Sequence, residues 1–268
     1  MAGSVVRSSI TSATSAEKQR ASKRSASAKK QKPDADERLL DRLFAELARV
    51  AEMSAIERRL RDFGFRAIAG TDEVGRGCLA GPVVAACVIL DCEPTLFGVN
   101  DSKLVDREDR LAICRIILSC ARAVAVGVVE AATIDRINIL RASKLAMAQA
   151  VDDLVVRPDV LLLDAVTIDE VDMPQIPLIK GDRRSVSIAA ASIVAKVYRD
   201  LLMESYHALY PVYDFRNNRG YATESHQAAL KLYGPSPVHR MSFDGVEEPL
   251  LLFGRDVTVE RRDGDPTR

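Results

Sequence analysis

Acidic residues recur where short apolar runs end. Asp72 and Glu73 close the run that begins at Arg66, just before a glycine-rich turn, Gly75-Arg76-Gly77. Asp164 ends the apolar run Val160-Leu161-Leu162-Leu163, and Asp182 follows Lys180-Gly181 after another run. A lone acid in such a place is usually a turn former or a helix cap. Three strand ends delivering carboxylates from one buried sheet are harder to explain that way. If they converge, two ionised carboxylates about 4 Å apart repel by about 4 kcal/mol at an effective dielectric of 20. A shared proton or a divalent cation could offset that repulsion. Oxygen-only ligands with no His or Cys beside them favour hard Mg2+ or Mn2+ over zinc.

The elements that must hold these acids are legible as hydrophobic periodicity. Arg66–Asp72, Pro82–Asp91, Ala121–Glu130, Pro158–Asp164 and Ile176–Lys180 read as strands. The uninterrupted Val160–Leu163 run indicates a strand buried on both faces. Apolar steps of three and four predict helices over Leu104–Ser119, Thr133–Leu154, Ser185–Tyr206 and Thr223–Leu232. Asp36–Arg61, with Leu39, Leu40, Leu43, Phe44, Leu47 and Val50 in helical register, predicts an amphipathic helix, and Gly64 ends that region. Strands mixed with helices of this length indicate an α/β sheet.

Composition narrows the class. Hydrophobic residues make up 47% and charged residues 28% of the 268, which excludes a collagen-like, mucin-like or wholly disordered chain. The longest charge-free apolar stretch, Cys78–Leu90, covers 13 residues and contains Gly81 and Pro82. A membrane helix needs about 20, so no membrane partner is expected. The net charge is zero but unevenly placed. Residues 1–32 carry eight Lys/Arg and one acid, Glu17, so the remainder is acidic by seven charges. A nucleic-acid surface on the remainder must therefore be a local patch. The first 34 residues, rich in Ser, Ala, Lys and Arg, are expected to form a disordered basic tail. It reads as a solvated tail, a basic arm for nucleic acid, or a transit peptide. Five cysteines without a C-x-x-C pair indicate reduced, mostly buried thiols in a cytosolic protein. With only His207, His226 and His239, a His-rich zinc site is not expected.

Longer motifs carry a family resemblance. Ala69-Gly70-Thr71-Asp72-Glu73-Val74-Gly75-Arg76-Gly77, continuing to Leu79-Ala80-Gly81-Pro82-Val83-Val84-Ala85-Ala86, resembles the opening motif of type 2 ribonuclease H, ribonuclease HII. Asp101-Ser102-Lys103-Leu104 resembles its Asp-Ser-Lys element, and Leu161–Asp164 its second metal-ligand strand. Lys180-Gly181-Asp182 and the helix from Ser187 through Ser192 and Lys196 to Asp200 resemble its Lys-Gly-Asp block. Gly220-Tyr221-Ala222-Thr223, His226 and Ser236-Pro237-Val238-His239-Arg240 resemble its C-terminal motifs. Together the blocks cover residues 66 to about 243 in the family's order.

The resemblance implies the ribonuclease H fold, a mixed five-stranded sheet flanked by helices with a helical C-terminal extension. It implies a metal-dependent endonuclease that cuts the RNA strand of RNA–DNA hybrids and cuts 5′ of single ribonucleotides embedded in duplex DNA. The family's catalytic and metal-binding carboxylates map onto Asp72, Glu73, Asp164 and Asp182. Two Mg2+ or Mn2+ ions about 3.5–4 Å apart can activate a water and stabilise the leaving 3′ oxygen. The expected products are a 3′-hydroxyl and a 5′-phosphate.

Specificity must come from sensing the 2′-OH. The family does so with the Gly75-Arg76-Gly77 backbone and a tyrosine, here Tyr221. Glycine fits because a side chain would block close approach to a sugar. Lys103, Lys180 and Arg76 are candidate phosphate contacts. Taken singly, the glycine stretch reads as a plain turn, Tyr221 as a packed tyrosine, and each cation as a surface charge. His226 and His239 read as structural. Ala165 follows Asp164 where many bacterial members have Gly, which changes the turn slightly and leaves the ligand, whereas the departures at Ala222 and Asn217-Asn218-Arg219 bear on the placement of Tyr221. The expected organisation is a basic tail (1–34), a helical segment (35–65), a catalytic domain with its helical extension (66–246) and a C-terminal tail (247–268). The whole reads as a monomeric cytoplasmic enzyme of ribonucleotide excision repair, with hybrid and ribonucleotide-containing duplex as partners.

Overall fold

The computed structural model describes residues 34–91, 98–99, 102 and 105–246. Residues 1–33 of the expected basic tail, the C-terminal tail, Cys92, Asp101, Lys103 and Leu104 lie outside these residues. The chain divides after Phe44, where α1 (Ala35–Met53) is still running, and the body described below begins at Ala45.

Strand β1 (Ile68–Val74) is the axis of the sheet. It pairs antiparallel with β2 (Val83–Leu90), and β2 pairs antiparallel with β3 (Ala121–Val129). On its other side β1 runs parallel to β4 (Val160–Asp164), which runs parallel to β5 (Gln175–Leu178). The order is β3-β2-β1-β4-β5, the mixed five-stranded ribonuclease H-like sheet expected from the sequence. Every residue of β2 is buried, because helices cover both faces.

Alternation along β2 sorts the layers. Ala85, Cys87 and Ile89 face the side where α5 (Ile139–Asp152) packs Ala142, Ala146, Met147 and Ala150. Val84, Ala86, Val88 and Leu90 face α6 (Val186–Leu209), with Ala189, Ala190 and Ile193, and α3 (Arg107–Cys120), with Ile113 and Ile117. Small helix faces let both layers sit close to the sheet.

Several elements differ from expectation. Strand β1 runs on to Val74, so Asp72 and Glu73 lie inside it, in register with Ala86 and Ala85. The predicted helix over 133–154 is two: α4 (Ala131–Ile137) and α5, with Asn138 between them at φ 68°. At φ 68° and ψ 164° Asn138 lies far from helical geometry and interrupts the run, while its side chain accepts the Arg141 N–H at 3.1 Å to cap α5. The predicted helix over 36–61 breaks at Ser54, whose hydroxyl donates back to Val50 O at 2.9 Å, and α2 (Ala55–Asp62) follows. Helix α2 is anchored. Leu60 joins Ile68, Val160, Leu162, Leu178 and Ile188 in one cluster. Buried Glu57 accepts Ser185 Oγ at 2.6 Å and Ser187 N–H at 3.0 Å at the start of α6.

After α6 come a short turn, α7 (Phe215–Asn218) and α8 (Glu224–Tyr233). Their core is Tyr213, Phe215, Ala229 and Leu230 on Leu79, Ala80 and Met203. Cys78, Cys87 and Cys114 are buried free thiols and Cys120 is half-buried, as the cysteine pattern implied. Among the described residues no helix is long and apolar enough to cross a membrane.

Candidate active site

The ends of β1 and β4, the turn after β5 and the loop before α8 meet at one pocket. It is lined by Asp72, Glu73, Gly75, Arg76, Gly77, Asp164, Asp182 and Tyr221, together with Ser102, Ser192 and Lys196. All four expected acids are therefore brought to one place. Lys180 does not line the pocket. It is exposed in a left-handed conformation (φ 56°) at the turn before Gly181.

Asp72 is the innermost acid. Its Oδ1 accepts the Glu73 N–H at 2.9 Å. Burial, and then the neighbouring Glu73 and Asp164 carboxylates, push its carboxyl up to about 8, against a hydrogen bond from Ser192. Glu73 pairs with Arg76 at 3.0 Å. Asp164 turns Oδ1 to the Gly181 N–H at 2.7 Å, and Asp182 follows in the 3-10 turn Gly181–Arg183. As the side chains stand, no three His, Cys, Asp or Glu among the described residues form a ready metal cage. What they form is a pocket of carboxylates and serine hydroxyls whose deepest carboxyl is pushed toward its neutral form by burial first and then by its acidic neighbours, a repulsion that a divalent cation relieves.

Ser102, Ser192 and Lys196 were not singled out from the sequence, although each lies in a family-like block. Ser192 and Lys196 are four apart on α6 and so share a face. Ser192 Oγ stands 3.1 Å from Ser102 Oγ. Lys196 donates to Asp200 at 2.5 Å, and Asp200 also meets Arg110 at 3.3 Å. Burial, opposed by Asp200, lowers the Lys196 ammonium below its ordinary value.

The glycine turn has two unlike glycines. Gly75 sits at φ 95°, and a Cβ there would lie 2.2 Å from Arg199 Nε, so the fold requires glycine. A Cβ on Gly77 would meet nothing within 4 Å. Packing leaves Gly77 free to be larger, and the pocket it lines is what a side chain would fill. Across from it Tyr221 is 41% exposed. The departure at 217–219 is absorbed locally. Asn218 donates to Tyr213 O at 2.6 Å and accepts the Gly220 N–H at 2.8 Å, and Tyr221 N–H donates to Asn218 O at 2.9 Å. Ala165 takes a left-handed φ of 55°, a conformation that favours glycine.

Residues 69–246 match the family model described as Ribonuclease HII. The chain belongs to the ribonuclease HII family. It is 56% identical over 189 residues to ribonuclease HII of Lactobacillus delbrueckii subsp. bulgaricus, covering 70% of this chain and 73% of that protein. It is 50% identical over 195 residues to ribonuclease HII of Bacillus subtilis, covering 73% and 76%. Among solved structures it resembles ribonuclease H2 from Pyrococcus horikoshii OT3, with a TM-score of 0.56 and 25% identity over 67% of this chain and 94% of that one. It also resembles the structure of the PCNA:ribonuclease HII complex from Archaeoglobus fulgidus, with a TM-score of 0.57 and 25% identity over 68% and 98%. As a ribonuclease HII, the protein is a hydrolase, an endonuclease of the ribonuclease H type that acts on RNA–DNA hybrids. Every acid and glycine of the pocket lies within the matched span.

Proposed function

We propose that this ribonuclease HII cuts the RNA strand of hybrids and also cuts 5′ of a single ribonucleotide embedded in duplex DNA, leaving a 3′-hydroxyl and a 5′-phosphate. Asp72, Glu73, Asp164 and Asp182 are its catalytic carboxylates. The observation that carries the reading is the meeting of these four acids in one pocket with Asp72 driven neutral by burial and its neighbours.

The donor set fits Mg2+ or Mn2+: it is all carboxylate, and the two serines beside it offer further oxygen. When bound, such ions supply Lewis-acid charge for the phosphate and lower the pKa of the attacking water. Asp72, Glu73, Asp164 and Asp182 would hold them. Lys196 brings a positive charge to the pocket wall and Arg76 stands at its rim, where phosphate oxygens are positioned. The phosphodiester remains anionic throughout, so fixed charges carry most of the work. The Gly75–Gly77 backbone and the Tyr221 ring read the ribose from two sides, the first through the 2′-OH and the second by packing on the sugar.

The test is cleavage of a DNA duplex with one ribonucleotide, with and without Mg2+, beside an all-DNA duplex. The expected result is a metal-dependent cut on the 5′ side of the ribonucleotide and none in the DNA control. Equal cutting of the DNA duplex would assign the pocket to another ribonuclease H-fold nuclease.

A further inference from the structure

Two consecutive buried residues, His239 and Arg240, reach both walls of the ribose side of the pocket. Their segment is stitched to the strand-like stretch after the glycine turn. Ala80 and His239 form an antiparallel bridge, Gly81 N–H donates to Val238 O at 2.8 Å, and Arg240 N–H donates to Leu79 O at 2.9 Å.

The Arg240 guanidinium is fully buried and donates to Gly75 O at 2.7 Å, Arg76 O at 2.9 Å and Gly81 O at 3.0 Å. A planar fork held by three carbonyls fixes their directions in turn. In a trans peptide the C=O and the next N–H point oppositely. Turning the Gly75 and Arg76 carbonyls inward to Arg240 therefore turns the Arg76 and Gly77 N–H groups outward. Neither N–H has a partner among the described residues.

His239 works through a second histidine. Its Nδ1 takes the Ser236 N–H at 2.9 Å, so that nitrogen carries no proton. Its Nε2 is 3.0 Å from His226 Nε2, and His226 Nδ1 is 2.8 Å from Tyr221 O. A carbonyl only accepts, so His226 bears its proton on Nδ1. The single proton between the rings then belongs to His239 Nε2. The neutral pair has one consistent arrangement, running from Ser236 to the Tyr221 carbonyl. The Tyr213 ring, 4.7 Å from that of His239, packs beside it.

We infer that His239-Arg240 is a positioning brace that sets Tyr221 against the Gly75–Gly77 backbone, and thereby determines how well the enzyme accepts a lone ribonucleotide relative to a continuous hybrid. This rests on the proposed ribose-reading roles of Tyr221 and Gly75–Gly77. A lone ribonucleotide offers one 2′-OH, so both walls must be in register. A continuous hybrid offers a 2′-OH at every step and tolerates a displaced wall.

The experiment compares kcat/KM on a DNA duplex with one ribonucleotide and on an RNA–DNA hybrid, in saturating Mg2+. The proteins are wild type, Arg240→Lys, His226→Leu, His226→Asn and, as reference, Tyr221→Ala. The ratio of the two values is unaffected by the fraction of molecules folded, so mere destabilisation does not move it. Tyr221→Ala is expected to lower the ratio by roughly 5–150-fold, the range of a lost stacking contact. Arg240→Lys and His226→Leu should lower it in the same direction. His226→Asn, which keeps an N–H where Nδ1 stands, should restore most of it. If Tyr221→Ala moves the ratio while Arg240→Lys or His226→Leu leaves it unchanged, the brace is overturned and the ribose reading stands. If Tyr221→Ala leaves it unchanged, the ribose reading fails and the brace fails with it. Nitrogen NMR of the wild-type imidazoles gives an arm independent of variant folding. Protons on His226 Nδ1 and His239 Nε2 support the relay, and the reverse tautomers overturn it.

Discussion

Asp164 Oδ1 accepts the Gly181 N–H at 2.7 Å, tying the last residue of β4 to the turn that carries Asp182. The pairing of Asp164 with Leu178, and of Ala165 N–H with Leu178 O at 3.0 Å, brings the two segments alongside each other. One carboxylate oxygen is thus spent on geometry, and the other remains for the pocket.

That division predicts the behaviour of Asp164→Asn. The amide oxygen can still accept from Gly181, so the fold is kept, while the charge is lost. Cleavage in saturating Mg2+ should fall by more than about 100-fold, since disturbing even an outer partner of a metal ligand costs about 10–100-fold. Without metal the variant should melt at the same temperature as wild type or higher, because one repelling charge near Asp72 is gone. Circular dichroism and a turnover assay check both halves, and near wild-type turnover would remove Asp164 from the catalytic set.

Gly75 and Gly77 should separate stability from activity. Gly75→Ala places a Cβ against Arg199 at φ 95° and should cost about 1–3 kcal/mol of stability. Gly77→Ala meets open space, so its melting temperature should stay at the wild-type value while kcat/KM falls. Thermal unfolding and cleavage of the same preparations test the contrast. Unchanged activity in Gly77→Ala would show that no substrate group comes close there.

Ala165 holds a conformation that costs an L-residue about 1–2 kcal/mol. Ala165→Gly relieves it but loosens the unfolded chain, leaving a net gain of about 1 kcal/mol. In a domain of this size that is about 2–4 °C in melting temperature. Calorimetry is the check, and a lower melting temperature would mean that the Ala165 methyl contributes packing that outweighs the strain.

Acid should loosen the C-terminal extension. Burial first, then His226, pushes the His239 imidazole down to about 4, and burial lowers His226 as well. An unfolded histidine titrates near about 6.5. The unfolded chain therefore binds protons the folded chain refuses, so this stability is present above pH about 6.5 and drains as pH falls toward about 4. Protonating His226 also places two N–H groups face to face across the 3.0 Å ring contact, and protonating His239 sets an N–H at Nδ1 against the Ser236 N–H it accepts. Urea midpoints between pH 7 and pH 4.5 should fall more steeply for wild type than for His239→Gln. Parallel curves would place the acid sensitivity elsewhere.

Asp72, Glu73 and Asp164 were legible because each sits at or near the end of an apolar run whose strand character is written in its own neighbours. The same local periodicity placed all five strands and the long helix at Val186–Leu209. Breaks at Ser54 and Asn138 were not legible, because each falls at a single polar residue and the apolar spacing of a helix continues on both sides of it. Ser192 and Lys196 reach the acids only because α6 packs across β1 and β2, and Ser102, from the loop before α3, joins them through its hydroxyl contact with Ser192. His239-Arg240 lies more than 150 residues from Gly75, and no local pattern says which carbonyls its guanidinium will find. The sequence by itself determined the fold class and the acids, since strand burial and charge placement are local properties. Tertiary structure alone decided which hydrogen bonds hold the Gly75–Gly77 turn and Tyr221 at the pocket, since buried donors take whichever acceptors the packed layers bring within reach.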